Sequence, residues 1–367
     1  MIEQEVQYME SLLYKKIERY LKDIIRQNAN IPNYKLPSER TLSQTFATSR
    51  KPVRNAYESL LQKGLVVNTH GKGYFIAQQA AENAPQPSKR EQLRISLIIP
   101  SITTQYCHEI LVGTSNFCSE RQVELTILVS DDDPEKENRL LTSAPLSGSN
   151  GIILFPADRD NIHDHEIFKL CAKKYPLVLV DRMLPNISTS FVASENHDAM
   201  VNAVEFLREK GFENLVYVTP SSALASTVET RMNGFTHGLL RHYKMATPQN
   251  LLVLEGSSQQ KKSTMIKYLQ KYPDTQIIII PGTMRQTVLT AVQELGIRIP
   301  EDLRLMIFDD ELSPSERISL KPYILKQDGY HIGYHAAEYL YNQVYGDLRP
   351  LTKLLPVAII DASKDKI

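Results

Sequence analysis

Residues 48–64 read TSRKPVRNAYESLLQKG, and this short stretch carries the signals of one complete helix. Thr48 or Ser49 is a suitable N-cap, because a hydroxyl accepts a hydrogen bond from an unpaired N–H of the first turn. Pro52 falls in that first turn, where a missing donor costs little, and Gly64 is a natural stop. Apolar residues at three- and four-residue spacing predict one buried face: Val53, Ala56, Leu60 and Leu61.

The front end of this helix is basic. Arg50 and Arg54 are four residues apart, as are Lys51 and Asn55, so each pair shares one side of the helix. Cations at a helix N-terminus oppose the helix dipole, which indicates that these charges serve a partner outside the helix. Phosphate is the obvious anion, and Arg and Asn can also read base edges.

The flanking sequence extends the pattern on both sides. Residues 8–27 predict a first amphipathic helix, and LPSERTLSQTFA predicts a second, short helix with Ser38 as its cap. After Gly64, LVVNTHGKGYFIA gives two β-prone arms around a turn at 70–73, which is a hairpin signal. Three helices followed by a hairpin predict a winged helix-turn-helix over residues 1–77.

Charge distribution supports a local anion-binding module. The chain has 367 residues, enough for two or three domains, and its formal net charge is zero. Residues 31–77 nevertheless hold seven Lys/Arg against two Asp/Glu, a net of +5 that the rest of the chain must balance with −5. A globally basic nucleic-acid binder is therefore excluded, whereas a small basic domain on a mildly acidic body is expected.

The larger part of the chain has a different pattern. Residues 78–92, with two prolines and almost no large apolar side chains, read as a linker. From residue 93 onward, short apolar runs alternate with helical stretches, which predicts an α/β fold with parallel sheets. The runs are RISLIIP, VELTILV, GIILF, PLVLVD, NLVYVT, LLVLEG, QIIIIP and LRLMIF.

These strands are too many for one compact unit, so we expect two α/β lobes within residues 93–367. The predicted boundary is near 188–194, with the chain crossing back near 320–355. Ligands of open α/β sheets sit beyond the carboxyl ends of the strands, which makes the cleft between the lobes the expected binding site.

Composition argues against several other classes of protein. Three scattered cysteines without C-x-x-C spacing fit a reducing cytosol and neither a disulfide framework nor a zinc site. His331 and His335 have metal-compatible spacing but no completing ligand, so we expect no metal and no cofactor. No membrane span or signal-peptide core is recognisable, and no nucleophile elbow, Walker A loop or dinucleotide fingerprint indicates an enzyme. We expect a cytoplasmic, non-enzymatic protein.

The basic module resembles the GntR family of bacterial transcription factors, on LPSERTLSQTFATSRKPVRNAYESLLQKGLVV followed by GKGYF. The resemblance implies that a homodimer binds a palindromic double-stranded DNA operator. The expected DNA-binding residues are Ser38, Arg40, Thr48, Ser49, Arg50, Lys51, Arg54 and Asn55, with a wing turn of His70, Gly71, Lys72 and Gly73. Lys51-Pro52 departs from the family, which usually has Thr or a similar residue before the Val, so one phosphate contact is in doubt.

The body resembles the LacI/GalR effector domain, on GIILF, PLVLVDR, RMNGF, GIRIPEDLRLMIFDD and QDGYHIGYHAAEYL. This layout is similar to that of the bacterial arabinose repressors. The resemblance implies effector contacts at Tyr106, Asp181, Arg182, Arg231 and Asp309. Other roles stay open: the two aspartates could cap a helix or turn, Arg231 could pair with Glu229, and Tyr106 could serve lobe packing.

One departure affects the effector. Pro281-Gly282 stand where the LacI family usually has an Asn-Asp pair, so the effector could be a different sugar, a phosphorylated or acidic one, or not a sugar. The LacI hinge helix is also missing, which leaves the 78–92 linker or the dimer geometry to carry the signal.

The sequence thus predicts a transcription regulator, more specifically a repressor of a carbohydrate-utilisation operon that a sugar-like effector modulates. The alternative is a solute-binding carrier protein, which would need export.

Overall fold

The computed structural model describes residues 34–46, 48–69, 72–77, 93–157, 165–220, 226–309, 312–347 and 349–364, together with positions 14, 17, 18, 20–22, 24, 25, 28 and 31. The predicted linker 78–92, the wing residues His70 and Gly71, and part of the predicted first helix lie outside these residues. The chain divides into two compact units, Met1–Gln92 and Leu93–Ile367.

The first unit is a winged helix-turn-helix, as predicted. Its described elements are helices α1 (Glu39–Thr45) and α2 (Arg50–Gln62) and the antiparallel hairpin of β1 (Val66–Thr69) and β2 (Gly73–Ile76). The described residues between 14 and 25 are mostly helical and supply Ile17 and Leu21 to the core. Val53, Tyr57 and Leu60 of α2 are fully buried against them, which explains the apolar spacing of this helix.

The predicted ends of α2 are confirmed. Ser49 is its N-cap residue, although its hydroxyl makes no capping hydrogen bond, and Pro52 lies in the first turn. The helix ends at Gln62, and Gly64 follows with φ +66°, a conformation that glycine adopts without penalty.

The second unit contains two six-stranded sheets, each covered by helices. The first-lobe strands are β3 (Arg94–Ile99), β4 (Glu124–Val129), β5 (Gly151–Leu154), β6 (Leu177–Val180), β7 (Ser190–Ser194) and β13 (Thr352–Leu355). Their order is β13-β7-β6-β5-β3-β4, and all neighbours are parallel. The first-lobe helices are α3 (Gln105–Glu120), α4 (Pro134–Leu146), α5 (His165–Ala172) and α11 (Gly329–Val344).

The second lobe repeats this plan with one reversed edge. Its strands are β8 (Leu215–Pro220), β9 (Leu251–Leu254), β10 (Ile277–Pro281), β11 (Arg304–Phe308), β12 (Tyr323–Lys326) and β14 (Ala358–Asp361). The order is β14-β12-β11-β10-β8-β9, and only β14 runs antiparallel. Its helices are α6 (Asn196–Glu209), α7 (Ser226–His242), α8 (Ser258–Lys271), α9 (Arg285–Glu294) and α10 (Pro314–Leu320).

The eight apolar runs all form strands, so the predicted α/β class with parallel sheets is confirmed. The prediction missed β7, β12, β13 and β14. The chain passes between the lobes three times: from β7 to α6, from β12 to α11, and from β13 to β14.

Glycines allow the first-lobe helices α3 and α11 to cross closely. A Cβ at Gly113 would lie 1.9 Å from the Tyr330 carbonyl oxygen, and one at Gly333 would lie 2.0 Å from that of Ile110. No larger residue fits at either position without moving a backbone. Because α11 follows directly after the second passage between lobes, this crossing fixes that passage rigidly to the first lobe.

Candidate functional site

The start of α2 presents a polar, cationic surface. The side chains of Arg50, Lys51, Arg54 and Asn55 are all exposed, while Pro52 and Val53 between them are buried. This alternation follows from helical geometry, since one face packs on the core and the opposite face meets solvent. Thr48 and Ser49 precede the helix at the same end.

The beginning of α1 supplies a second part of this surface. Ser38 caps the helix, because its Oγ accepts a hydrogen bond from the Thr41 N–H at 3.1 Å. The predicted cap is therefore confirmed, and a phosphate contact would have to use the remaining capacity of this hydroxyl. Arg40 is exposed.

Glu39 connects these elements, and the sequence analysis did not single it out. Its Oε1 lies 4.0 Å from Arg54 Nε and accepts a hydrogen bond from the Tyr74 hydroxyl at 2.9 Å. Tyr74 stacks on Tyr57 of α2 with ring centroids 3.7 Å apart. Burial and the hydrogen bond to Glu39 raise the pKa of Tyr74 to about 12, so this phenol stays a donor. Wing, helix α1 and helix α2 are thereby joined around Arg54.

The wing turn is described only in part. Lys72 is exposed, and Gly73 has φ +103°, a conformation that disfavours any residue with a Cβ. The predicted contacts His70 and Gly71 lie outside the described residues.

In the second unit, two predicted effector residues of the first lobe meet. The Tyr106 hydroxyl donates to Asp181 Oδ1 at 2.8 Å, and both side chains are buried. Tyr106 lies in the first turn of α3, and Asp181 follows β6 with φ +63°. A buried carboxylate is expensive unless it is hydrogen-bonded, which gives the tyrosine a clear role.

The second lobe contributes Arg231 and Asp309. Arg231 is 9% exposed; its Nε donates to Asn196 Oδ1 at 2.7 Å, and its guanidinium carbon lies 3.8 Å from the centroid of the Phe308 ring. Within the described residues it has no acidic partner at ion-pair distance, so the open pairing with Glu229 is not seen. Asp309 follows β11 with φ +67° and accepts from Gln327 Nε2 at 2.7 Å.

These four side chains face one cleft between the lobes. Burial raises the pKa of Tyr106 well above its ordinary value; the nearby carboxylates of Asp181 and Asp309 add to this, and the Arg231 guanidinium opposes it. A cavity of about 10 Å³ lies there. Its lining residues are Gln105, Tyr106, Glu109, Asp309, Lys326 and Gln327. It has room for about one water molecule.

Arg182 is engaged elsewhere in the first lobe. Its Nη1 donates to Asp132 Oδ1 and to the Pro156 carbonyl, both at 2.9 Å. The guanidinium also lies over the Phe155 ring, at 5.3 Å. The structure therefore brings four of the five predicted effector residues together and ties the fifth to a neighbouring loop.

Other kinds of site find no support in the described residues. No group of three or more His, Cys, Asp or Glu side chains there could hold a metal ion. His331 and His335 are bonded separately to Asp328 and Glu338. None of the helices in this part of the chain combines the length and the apolar character that crossing a membrane requires.

Comparison with known families accounts for both units. Residues 13–76 match the model of the bacterial regulatory proteins of the gntR family. Residues 95–348 match a periplasmic binding protein domain. The chain is a gntR-family regulator with a periplasmic binding protein domain. The relatives it matches are transcription regulators, which is the coarse support for a non-enzymatic role.

Two relatives of the regulator illustrate this. It is 22% identical over 316 residues to the arabinose metabolism transcriptional repressor of Halalkalibacterium halodurans, covering 84% of this chain and 83% of the relative. It is 25% identical over 261 residues to the HTH-type transcriptional regulator PtxS of Pseudomonas putida, covering 71% and 74%. Among solved structures, a putative ribose operon repressor from Burkholderia thailandensis superposes with TM-score 0.65 at 19% identity, over 73% of the regulator and 98% of that chain. This last likeness concerns the fold alone.

Proposed function

We propose that the regulator is a repressor of carbohydrate-utilisation genes. A homodimer would hold a palindromic double-stranded DNA operator in the cytoplasm, and a small sugar or sugar derivative would release it. The observation that carries the proposal is the combination, in one chain, of a winged helix-turn-helix with exposed cations and a two-lobed unit with four polar side chains around one cleft. The names of the relatives, which include arabinose and ribose repressors, support the carbohydrate class.

The units divide the work. Residues 1–77 would bind DNA, 78–92 would link, and 93–367 would bind the effector and dimerise. Phosphate contacts from Arg or Lys side chains position a reader on the duplex, whereas base contacts specify sequence. Arg50 and Arg54 on the exposed face of α2 are suited to bidentate contact with guanine in the major groove. The remaining predicted contacts would hold phosphates or, for the wing, the adjacent groove.

The cleft offers chemistry that suits a hydroxylated ligand. Asp181 and Asp309 are acceptors for hydroxyl groups, and Arg231 supplies the only cation of the four. A guanidinium that is almost fully buried and has only a neutral amide partner gains most from a ligand oxygen, especially a carboxylate. A sugar or a sugar acid therefore fits better than a cation.

Effector entry requires the cleft to change. Pockets for small molecules usually have volumes of about 300–1,000 Å³, far above the cavity seen between Tyr106 and Asp309. Two contacts cross the lobes: Lys326 Nζ to Glu109 Oε1 at 3.5 Å, and the Met183 N–H to Ser226 Oγ at 2.9 Å. The three chain passages are the natural hinge, and we propose that ligand exchange breaks these two contacts.

The test combines both activities. The purified regulator is first selected against random duplexes, and the enriched site is examined for a palindrome. Fluorescence anisotropy then measures DNA release while sugars, sugar acids and sugar phosphates are added. One compound should both stabilise the protein thermally and release the DNA. Absence of sequence-selective, salt-dependent DNA binding would overturn the repressor function.

A further inference from the structure

Gln327 is a buried amide with one end unused. Its side chain is 3% exposed and immediately follows β12 at the second passage between the lobes. Its Nε2 donates to Asp309 Oδ1 at 2.7 Å. Its Oε1 is buried and has no hydrogen-bond partner among the described residues. Unpaired buried acceptors are unfavourable and uncommon, so this one needs a reason.

The orientation of this amide is fixed. A carboxylate can only accept hydrogen bonds, so the NH₂ end of Gln327 must face Asp309. Turning the amide over would place two acceptor oxygens together. The Oε1 atom is therefore held away from Asp309, in a side chain that lines the cleft cavity together with Tyr106.

Strand register explains why Gln327 has this place to itself. Phe308 pairs with Pro281 on one side and with Leu325 on the other, so Asp309 lies between Gly282 and Lys326. Gly282 has no side chain to offer at the end of β10. The β12 flank of Asp309 is the one that provides side chains, and Gln327 is the neutral amide among them.

We propose that Gln327 is an effector-reading residue: its carbonyl oxygen accepts a hydrogen bond from a ligand hydroxyl, while its NH₂ group holds Asp309 in position. The proposal rests on the function proposed above and adds a specificity residue to that site. It requires a ligand that places a hydroxyl donor beside the group bound by Asp309. A site that hydrogen-bonds a ligand hydroxyl rejects analogues that lack it, because the protein group is then left unpaired.

Gln343 provides a matched control. It is also a buried glutamine at 6% exposed, but both ends are used: Oε1 accepts from the Leu177 N–H and Nε2 donates to Ser190 Oγ, each at 2.9 Å. A structural glutamine should resemble Gln343 in its response to mutation. Gln327 should differ, because half of its hydrogen-bonding capacity is free until a ligand arrives.

The experiment compares Gln327→Met and Gln343→Met in the full chain. Melting temperatures are measured without ligand and with L-arabinose, D-ribose, D-glucose, D-gluconate and D-galacturonate; calorimetry gives the affinity of each compound that stabilises wild type. We expect Gln343→Met to lower the melting temperature and keep its ligand response. Gln327→Met should melt within about a degree of wild type and bind the same compound about five- to tenfold more weakly. A deoxy analogue lacking the hydroxyl read by Gln327 should bind both proteins equally.

Three results would overturn the proposal, and they are distinguishable. Equal affinity of wild type and Gln327→Met for a stabilising sugar would remove Gln327 from the site while leaving the proposed function intact. A melting temperature as low as that of Gln343→Met would make Gln327 structural. No stabilisation of wild type or of Gln343→Met by any of the five compounds would contradict the carbohydrate class itself, and with it the hydroxyl assigned to Gln327.

Discussion

Arg54→Ala separates DNA reading from folding. The Arg54 side chain is 66% exposed, and its acidic neighbour Glu39 is 4.0 Å away. Ion pairs in that setting contribute little, so the free energy of unfolding should change by at most about 0.5 kcal/mol. A side chain that reads a base contributes far more to the complex, about 1–3 kcal/mol. Operator affinity should therefore fall by about 5- to 150-fold in a protein of nearly unchanged stability.

The assay is fluorescence anisotropy on the selected operator and on a scrambled duplex, at several salt concentrations. If Arg54 reads a base, affinity for the operator falls and affinity for the scrambled duplex does not, with an unchanged salt dependence. If Arg54 instead holds a phosphate, both affinities fall and the slope of log K against log salt decreases by about 0.9.

Arg298→Ala is the control. Arg298 is 70% exposed and ion-paired with Asp302, but it belongs to the second unit. This variant should bind both duplexes as wild type does. Unchanged operator affinity in Arg54→Ala, with Arg298→Ala behaving as expected, would refute the reading of α2 as the recognition helix.

Three further variants test other parts of the structure. Asp309→Asn keeps a side chain that tolerates positive φ but loses the charge, so effector affinity should fall by about 10- to 150-fold in calorimetry while DNA binding persists; loss of DNA binding as well would indicate a structural role. Tyr57→Phe removes the hydrogen bond to the Pro37 carbonyl and should cost the first unit about 1 kcal/mol in denaturant unfolding, with no change meaning that the bond contributes nothing. Gly333→Ala places a Cβ 2.0 Å from a backbone oxygen and should destabilise the second unit by roughly 1–3 kcal/mol, and wild-type stability would contradict the close crossing.

The fold was largely predictable because its central strands are continuous apolar runs. Strands such as Leu177–Val180 and Ile277–Pro281 are buried on both faces and must be apolar throughout. The missed strands lack that signal. Thr352–Leu355 and Ala358–Asp361 alternate half-buried and exposed residues at sheet edges, which reads as loop, and Ser190–Ser194 begins and ends with serine.

The site was predictable only where its residues end a strand. Asp181 and Asp309 directly follow apolar runs, and the carboxyl ends of parallel strands meet at one edge of a sheet. The partners of the site escaped the prediction because three-dimensional packing chooses them. Asn196 lies 35 residues before Arg231, and Gln327 lies 18 residues after Asp309. Register alone, which no local pattern announces, brings Gln327 to Asp309.

Control of DNA binding needs a ligand that distinguishes two arrangements of the lobes. A ligand that touched one lobe alone would bind open and closed forms equally and shift nothing, however tightly it bound. Tyr106 and Asp181 belong to the first lobe, and Arg231 and Asp309 to the second, so a ligand held by both pairs binds one arrangement better. A coupling of about 1–3 kcal/mol then suffices for a 5- to 150-fold change in DNA affinity. The second passage between the lobes is suited to transmit it: Gln327 contacts Asp309, and two residues later Gly329 begins α11, where an added Cβ would lie 2.9 Å from the Tyr106 carbonyl oxygen.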